Sequence, residues 1–233
     1  MVANSVSPKN IKSNTSPYVV VGLGNPGAKY DRTRHNVGFA VVDALSHLID
    51  ELAGGEVPTR VRVISADVVK GSTVSNQLST KGDYAFKKYR IGSHQVFLFK
   101  PLTYMNRSGE PLSEFLRFQK VPLENLVVIH DEIDLPLGSV RIKQGGGEGG
   151  HNGLRSISQM CGGKQYVRVR VGVGKPDPVE RAFQGSDGVA RWVLSTFSVD
   201  EQDTLVESIA TAVSAVFDVI QVGTSQAQNR HNC

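Results

Sequence analysis

Residues 18–52 read YVVVGLGNPGAKYDRTRHNVGFAVVDALSHLIDEL, and this stretch decides the fold. Its first six residues form a continuous, valine-rich apolar run that ends among glycines, which predicts a buried strand of a parallel sheet. Apolar residues then recur at helical spacing from Phe39 to Leu52, just ahead of Gly54, so we predict a helix over about 36–52. A strand, a polar loop and a helix in this order are typical of α/β proteins.

The rest of the chain repeats this alternation. The pattern predicts strands at 61–69, 84–91, 95–99, 126–130 and 166–173, and helices around 111–118, from about 152 and over 199–222. We therefore predict one α/β domain over 18–222, a three-layer sandwich around a mixed, mostly parallel twisted sheet. Residues 71–83 are polar and predict a loop. Residues 1–17 and 223–233 are expected to be disordered tails.

Composition narrows the functional classes. Hydrophobic residues make up 39% of the 233 residues and charged residues 21%, which is ordinary for a globular protein. No uninterrupted apolar run reaches the roughly 18–20 residues that a membrane span needs, and the polar N-terminus lacks the apolar core of a secretory signal. Cys161 and Cys233 predict neither a disulfide framework nor a metal site. We expect a cytoplasmic protein.

Charge is distributed unevenly along the chain. The net charge is +4 and the pI is about 9.1. Residues 139–181 contain eight basic and three acidic residues, whereas residues 199–233 contain five acidic residues and one basic residue. Such asymmetry favours a cationic face that could bind phosphates. A solvated charged surface is the alternative interpretation.

The spacing of Gly22, Gly24 and Gly27 matches the G-x-G-x-x-G fingerprint of dinucleotide-binding folds. The context argues against that function. In a dinucleotide site the helix opens inside the glycine loop, so that its first N–H groups face pyrophosphate. Here KYDRTRH precedes the helical pattern, and the acidic residue expected about twenty positions later, Asp43, lies inside the helix. We interpret the glycines as a turn that presents Asn25.

His35 and Asp131 are the candidate catalytic pair. His35 lies just before the first helix, and Asp131 follows the apolar strand LVVIH, where a buried carboxylate is costly unless it is hydrogen-bonded or functional. A carboxylate that accepts from one imidazole nitrogen fixes the tautomer and leaves the other nitrogen free as a base. Separately, His35 could be a packing residue and Asp131 a loop or helix cap.

Three asparagines, Asn25, Asn106 and Asn152, occupy loops at comparable places in the chain. Their amides could bind a peptide backbone or stabilise an oxyanion, although Asn152 could simply cap the following helix. The sequence contains no G-x-S-x-G, H-E-x-x-H or C-x-x-C motif, so no covalent nucleophile, metal or cofactor is indicated. Attack by a histidine-activated water on an activated ester is the mechanism that remains.

Four segments resemble the bacterial-type peptidyl-tRNA hydrolases, in the order that family has them. They are VVGLGNPGAKYDRTRHNVGF, KPLTYMNRSG, HDEIDLPLGSVRIKQGGGEGGHNGLRSI and YVRVRVGVGKP. The resemblance implies a monomeric α/β sandwich without an obligatory protein partner. It also implies hydrolysis of the ester that joins a peptide to the 3′-terminal ribose of tRNA. Relatives of the family act as splicing factors, so a non-catalytic RNA-binding protein is an alternative.

The resemblance also assigns residues. His35 would be the general base, Asp131 its orienting carboxylate, and Asn25 and Asn152 further catalytic groups. The peptide and acceptor-end cleft would be lined by Tyr30, Met105, Asn106 and Asn152. The tRNA phosphates would contact Arg141, Lys143 and Arg170. Residues 176–191 differ from the short lid region of the family. We expect no metal in the site.

Overall fold

The computed structural model describes residues 16–52, 78–176 and 187–232. The predicted strand at 61–69, most of the 71–83 loop and most of the 176–191 segment lie outside these residues. Seven strands are present in the described part, and their bounds are β1 Tyr18–Gly22, β2 Ser79–Lys81, β3 Tyr84–Ile91, β4 His94–Pro101, β5 Leu126–Glu132, β6 Val140–Gln144 and β7 Val167–Gly172.

The strands form one mixed sheet in the order β2-β3-β4-β1-β5-β7-β6. Its centre is parallel, because β1 pairs in parallel with β4 and β5, and β5 pairs in parallel with β7. Antiparallel partners flank this centre on both sides. β1 and the apolar parts of β4 and β5 are buried on both faces, which explains why residues 19–21, 96–99 and 126–129 are continuous apolar runs in the sequence.

Helices cover both faces of the sheet. In the described residues they are α1 Val37–Glu51, α2 Gly109–Gln119, α3 Asn152–Met160, α4 Gly188–Val193, α5 Gln202–Val222 and α6 Thr224–His231. One apolar core joins the sheet to α1, α5 and α6, and a second joins its other face to α2 and α3. The predicted three-layer sandwich around a mixed sheet is confirmed.

A close approach at Gly38 brings the candidate pair together. A Cβ at this position would lie 2.5 Å from both the Ile129 carbonyl oxygen and the Leu23 amide nitrogen, so only glycine fits. The first turn of α1 therefore rests directly on the ends of β1 and β5. Since His35 precedes α1 and Asp131 follows Ile129, this contact places the two side chains on the same edge of the sheet.

The prediction of a disordered tail over 223–233 is wrong for residues 224–232. They form α6 and one further residue, and Ala227 is fully buried in the core. The Asn232 side chain accepts from the Ile142 amide at 2.8 Å and donates to the Ile142 carbonyl at 2.8 Å. The sequence TSQAQNRH has almost no apolar pattern, so the hydrophobic pattern could not predict this helix. Amide groups, rather than an apolar stripe, bind this segment to the sheet.

Residues 199–222, which include α5, are long and apolar enough by length and composition to cross a membrane, with a mean hydropathy of 1.6 over an 18-residue window. Half of that window is buried in the protein. Ile209, Val213, Val216 and Ile220 of α5 pack into the core beneath the sheet. These contacts are those of a core helix.

Candidate active site

A cleft of about 800 Å³ opens beyond the carboxyl ends of β1 and β5. The cleft is bordered by the loop after β1, which contributes Asn25, Tyr30 and His35. It is also bordered by the end of β5 and by the loop of residues 148–152. Ligands in open α/β folds bind at this edge of the sheet. The cleft is also lined by Met105, Asn106, Asp131 and Asn152, so every predicted catalytic and cleft residue borders it.

His35 and Asp131 are hydrogen-bonded. The His35 Nδ1 lies 2.9 Å from the Asp131 Oδ1, although the two residues are 96 positions apart in the sequence. His35 lies in a 3-10 turn, Arg34–Asn36, immediately before α1. A carboxylate oxygen only accepts, so Nδ1 carries the proton and Nε2 is the nitrogen with a free lone pair.

A second histidine, His151, also binds Asp131. Its Nε2 lies 3.0 Å from the same Asp131 Oδ1, while its Nδ1 accepts from the amides of Gly153 at 3.1 Å and Leu154 at 3.4 Å. Backbone amides can only donate, so the His151 proton must be on Nε2 and point at Asp131. His151, rather than Asn152, is therefore the N-cap of α3. Sequence reasoning missed this residue.

The network shifts the pKa values of its members. Burial raises the pKa of the Asp131 carboxyl, but attraction to His35 and His151 and hydrogen bonds from both rings outweigh it, so the pKa is lowered and the carboxylate stays ionised. Burial lowers the pKa of His35, and the charge and hydrogen bond of Asp131 outweigh that effect, so the His35 pKa is raised above 6.5.

His130, next to Asp131, is a neutral neighbour of this pair. It is fully buried and its Nδ1 donates to the Asp131 carbonyl at 2.8 Å, while its Nε2 has no partner in the described structure. Burial, followed by repulsion from His151, lowers the His130 pKa to about 3. His130 thus stays uncharged at neutral pH and adds no positive charge beside His35.

The predicted asparagines occupy different settings. Asn25 is buried, and its Oδ1 accepts from the Met105 amide at 2.8 Å. The Asn36 side chain holds the backbone of Asn25, since it accepts from the Asn25 amide at 2.8 Å and donates to the Asn25 carbonyl at 3.0 Å. Asn152 is exposed, and its Oδ1 accepts from Arg155 at 3.2 Å.

In both Asn25 and Asn152 the side-chain oxygen is therefore occupied. The NH₂ groups of Asn25 and Asn152 are left to donate. Asn106 is exposed, lines the cleft and has no hydrogen-bond partner among the described residues. Donor groups in a cleft suit a carbonyl or a developing oxyanion.

Aromatic and apolar side chains form the remaining walls. Tyr30 and Tyr104 make an edge-to-face pair with ring centroids 6.4 Å apart, and Tyr104 is 57% exposed. Tyr104 was missed by the sequence analysis, although it precedes Met105 and Asn106 directly. The cleft is also lined by α4 and the residue after it, through Val189, Ala190, Val193 and Leu194.

The three predicted phosphate contacts lie outside the residues that line the cleft. Arg141 and Lys143 on β6 face Arg170 and Arg168 on β7 respectively, so four cations share one face of the sheet. Like charges directly opposite each other in a sheet are destabilising unless other groups compensate them.

Three of these four cations have protein partners. Arg170 donates to Glu132 at 2.9 Å, and Arg141 donates to the Asn232 carbonyl. Buried Arg168 donates to the carbonyl oxygens of Gly146 and Gly147 and thereby holds the glycine loop. Lys143 has no partner in the part of the chain that the structure describes, so it is the freest cation of the four.

The ligand atoms of His35, Asp131 and His151 lie within 4.8 Å of one another and could hold a metal ion. In the observed arrangement both rings donate to the same carboxylate oxygen. A metal would need to replace both of these protons. The hydrogen-bonded arrangement accounts for all three groups without an ion.

The chain is similar to known proteins over most of its length. The model of the family described as peptidyl-tRNA hydrolase matches residues 19–233. A peptidyl-tRNA hydrolase of Nocardia farcinica is 40% identical over 217 residues, covering 93% of this chain and 97% of the relative. One of Rhodococcus opacus is 42% identical over 212 residues, covering 91% and 96%. A crystal structure of peptidyl-tRNA hydrolase from Acinetobacter baumannii is similar with a TM-score of 0.74 and 32% identity, covering 94% and 95%.

Proposed function

The chain belongs to the peptidyl-tRNA hydrolase family, and on that premise we propose that it cleaves peptidyl-tRNA with a water molecule activated by His35. The bond cleaved is the ester between the peptide and the 3′-terminal ribose, and the products are free tRNA and peptide. The observation that carries the mechanism is the 2.9 Å hydrogen bond from His35 Nδ1 to Asp131 at the wall of the cleft.

His35 Nε2 takes a proton from water while the water oxygen attacks the ester carbonyl carbon. The imidazolium that forms is stabilised by the buried Asp131 carboxylate, which keeps the ring in one orientation and one tautomer. When the tetrahedral intermediate collapses, the ring returns its proton to the departing ribose oxygen. No covalent bond to the protein forms, and the base is regenerated in its starting state.

Asn25 and Asn152 supply the donors for the carbonyl oxygen as it becomes negative. This role is supported by the position of both residues in the lining of the cleft and by the bonds that occupy their side-chain oxygens, because the NH₂ groups are then the atoms left to donate. A preorganised amide donor commonly contributes about 10²–10³ in rate. Tyr30, Met105 and Asn106 bind the peptide and the acceptor end of the tRNA.

In this proposal the tRNA phosphates are bound by Arg141, Lys143 and Arg170. Lys143 contributes most, because it has no partner among the residues that the structure describes. Arg141 and Arg170 would need to leave or share Asn232 and Glu132 respectively. Counterion release makes such contacts weaker as salt rises. We also propose that the protein acts as a cytoplasmic monomer without a protein partner or cofactor.

The test compares turnover of an N-acetyl-aminoacyl-tRNA with that of the free aminoacyl-tRNA. The wild type should cleave only the blocked substrate and release the N-acetyl amino acid and free tRNA. His35→Ala should retain its circular dichroism spectrum and lose about 10²–10⁴ in kcat, the range for a general base. His47→Ala is the matched control, because His47 is a partly exposed histidine of α1. Its kcat should equal that of the wild type. Wild-type turnover by His35→Ala would refute the base assignment.

A further inference from the structure

Arg34 is the immediate neighbour of His35 and is almost completely buried, with 3% of its surface exposed. A buried guanidinium is costly unless its charge and its donors are satisfied. The proposed chemistry gives Arg34 no task, because its side chain is absent from the lining of the cleft. Its contacts therefore need a separate explanation.

The Arg34 guanidinium is held on two sides. It makes a bidentate ion pair with Glu201, at 3.0 Å and 2.8 Å, directly before α5. The centroid of the Trp192 ring lies 3.8 Å from the Arg34 Cζ, and the centroid of the Phe197 ring lies 4.6 Å from the same atom. Only the planar, forked arginine side chain can stack on rings and pair bidentately at the same time.

The backbone of the same segment is fixed to the same partner. The Arg34 amide donates to the Ser195 carbonyl at 3.0 Å, and Thr33 forms an isolated bridge with Thr196. Trp192 also donates its Nε1 proton to the Gly174 carbonyl at 2.8 Å. The loop that carries His35 is therefore joined to residues 192–201 through both side chain and main chain.

Those partners belong to a wall of the cleft. Trp192 lies on α4, a six-residue helix whose Val189, Ala190 and Val193 face the cavity. A helix this short has little stability of its own and depends on tertiary contacts for its position. Arg34 stacks on Trp192 of α4 and forms a bidentate ion pair with Glu201, so it connects α4 to the segment that carries His35.

We propose that Arg34 is a positioning residue that keeps the α4 wall of the cleft in register with the imidazole of His35. Its guanidinium does not touch the substrate. It acts by fixing the distance between the base and the wall against which the substrate rests. This inference rests on the proposed hydrolase function, because it concerns the geometry in which His35 works.

The experiment uses Arg34→Lys, which keeps the charge and loses the fork, and Glu201→Gln, which keeps the shape and loses the charge. Glu110→Gln is the matched control, since Glu110 forms a bidentate pair with Arg107 at an exposed site. For each variant kcat and KM are measured per folded molecule, well below its melting temperature. Trp192 is the single tryptophan of the chain, so its emission reports on the wall directly.

We expect kcat to fall about tenfold to a hundredfold in Arg34→Lys, as a misplacement of about 1 Å can cause, with a smaller fall in Glu201→Gln. Trp192 emission should move to longer wavelength in both, and Glu110→Gln should leave kcat and emission unchanged. A folded Arg34→Lys with wild-type kcat would overturn the positioning role, whether or not its emission moved. A wild type without turnover would instead refute the hydrolase function, which separates the two failures.

Discussion

Replacing His151 by asparagine separates the two tasks of this residue. His151 caps α3 through Nδ1 and donates to Asp131 through Nε2. Asparagine is among the best N-cap residues, so His151→Asn should keep the cap. Its side chain is too short to replace the imidazole Nε2 that reaches Asp131. Among the described residues, the buried carboxylate would then keep only His35 as a side-chain donor.

The cost follows from the lost bond. A hydrogen bond to a charged group is worth about 1.5–3 kcal/mol. For a chain of this length each 1 kcal/mol lowers the melting temperature by about 2–4 °C, so we expect a fall of roughly 4–8 °C for a loss near 2 kcal/mol. His151→Ala should lose about 1 kcal/mol more, because the cap is also removed.

The same change should alter the pH profile. Without the His151 proton, the Asp131 carboxylate loses one of the two imidazole hydrogen bonds that stabilise its charge, so it should attract the His35 proton more strongly and raise the already raised pKa of His35 further. Single-turnover rates from pH 5 to 8.5 should show the acid limb of kcat/KM at higher pH than in the wild type. The control is His47→Asn on the outer part of α1. A destabilised His151→Asn with an unmoved acid limb, or with one at lower pH, would refute the reasoning.

Three further predictions use the wild type and single variants. Wild-type activity should fall as pH drops through the His35 pKa, with a midpoint above 6.5 because that pKa is raised; a rate that stays flat from pH 5 to 8 would contradict an imidazole base. His130 has a folded pKa of about 3 against 6.5 unfolded, so its contribution to stability is full above pH 6.5 and is lost as pH falls toward 3. Denaturant titrations should show about 2 kcal/mol less loss between pH 6.5 and 5 in His130→Gln than in the wild type, and equal losses would contradict this. Lys143→Ala should raise KM, leave kcat unchanged and reduce the slope of log KM against log salt by about 1; an unchanged slope would exclude a phosphate contact.

The elements that the sequence predicted well are those whose burial is uniform. β1 and residues 126–129 of β5 are apolar, and α1 shows a clean helical period, so their positions follow from the hydrophobic pattern. β6 was missed because VRIKQ is short and alternates polar residues at an edge. α6 was missed because its one fully buried side chain is Ala227.

The sequence predicted those residues of the candidate site that a local sequence pattern can identify. His35 and Asp131 stand at a helix start and a strand end, where ligand sites of α/β folds occur. His151 gives no such signal, because its role depends on a proton whose position is fixed by the α3 amides. Arg34 depends on Trp192 and Glu201, more than 150 residues away, which a local pattern cannot reveal.

The docking of Asn232 bears on how the protein behaves in solution. β6 is one of the two edge strands of the sheet in the described residues, and an unprotected edge strand is a template with which another chain can pair. The carboxamide of Asn232 occupies both outward-facing backbone groups of Ile142, much as a strand residue from a neighbour would. A chain shortened to residue 222 would therefore open this border of the sheet to self-association, even though every catalytic group remained in place.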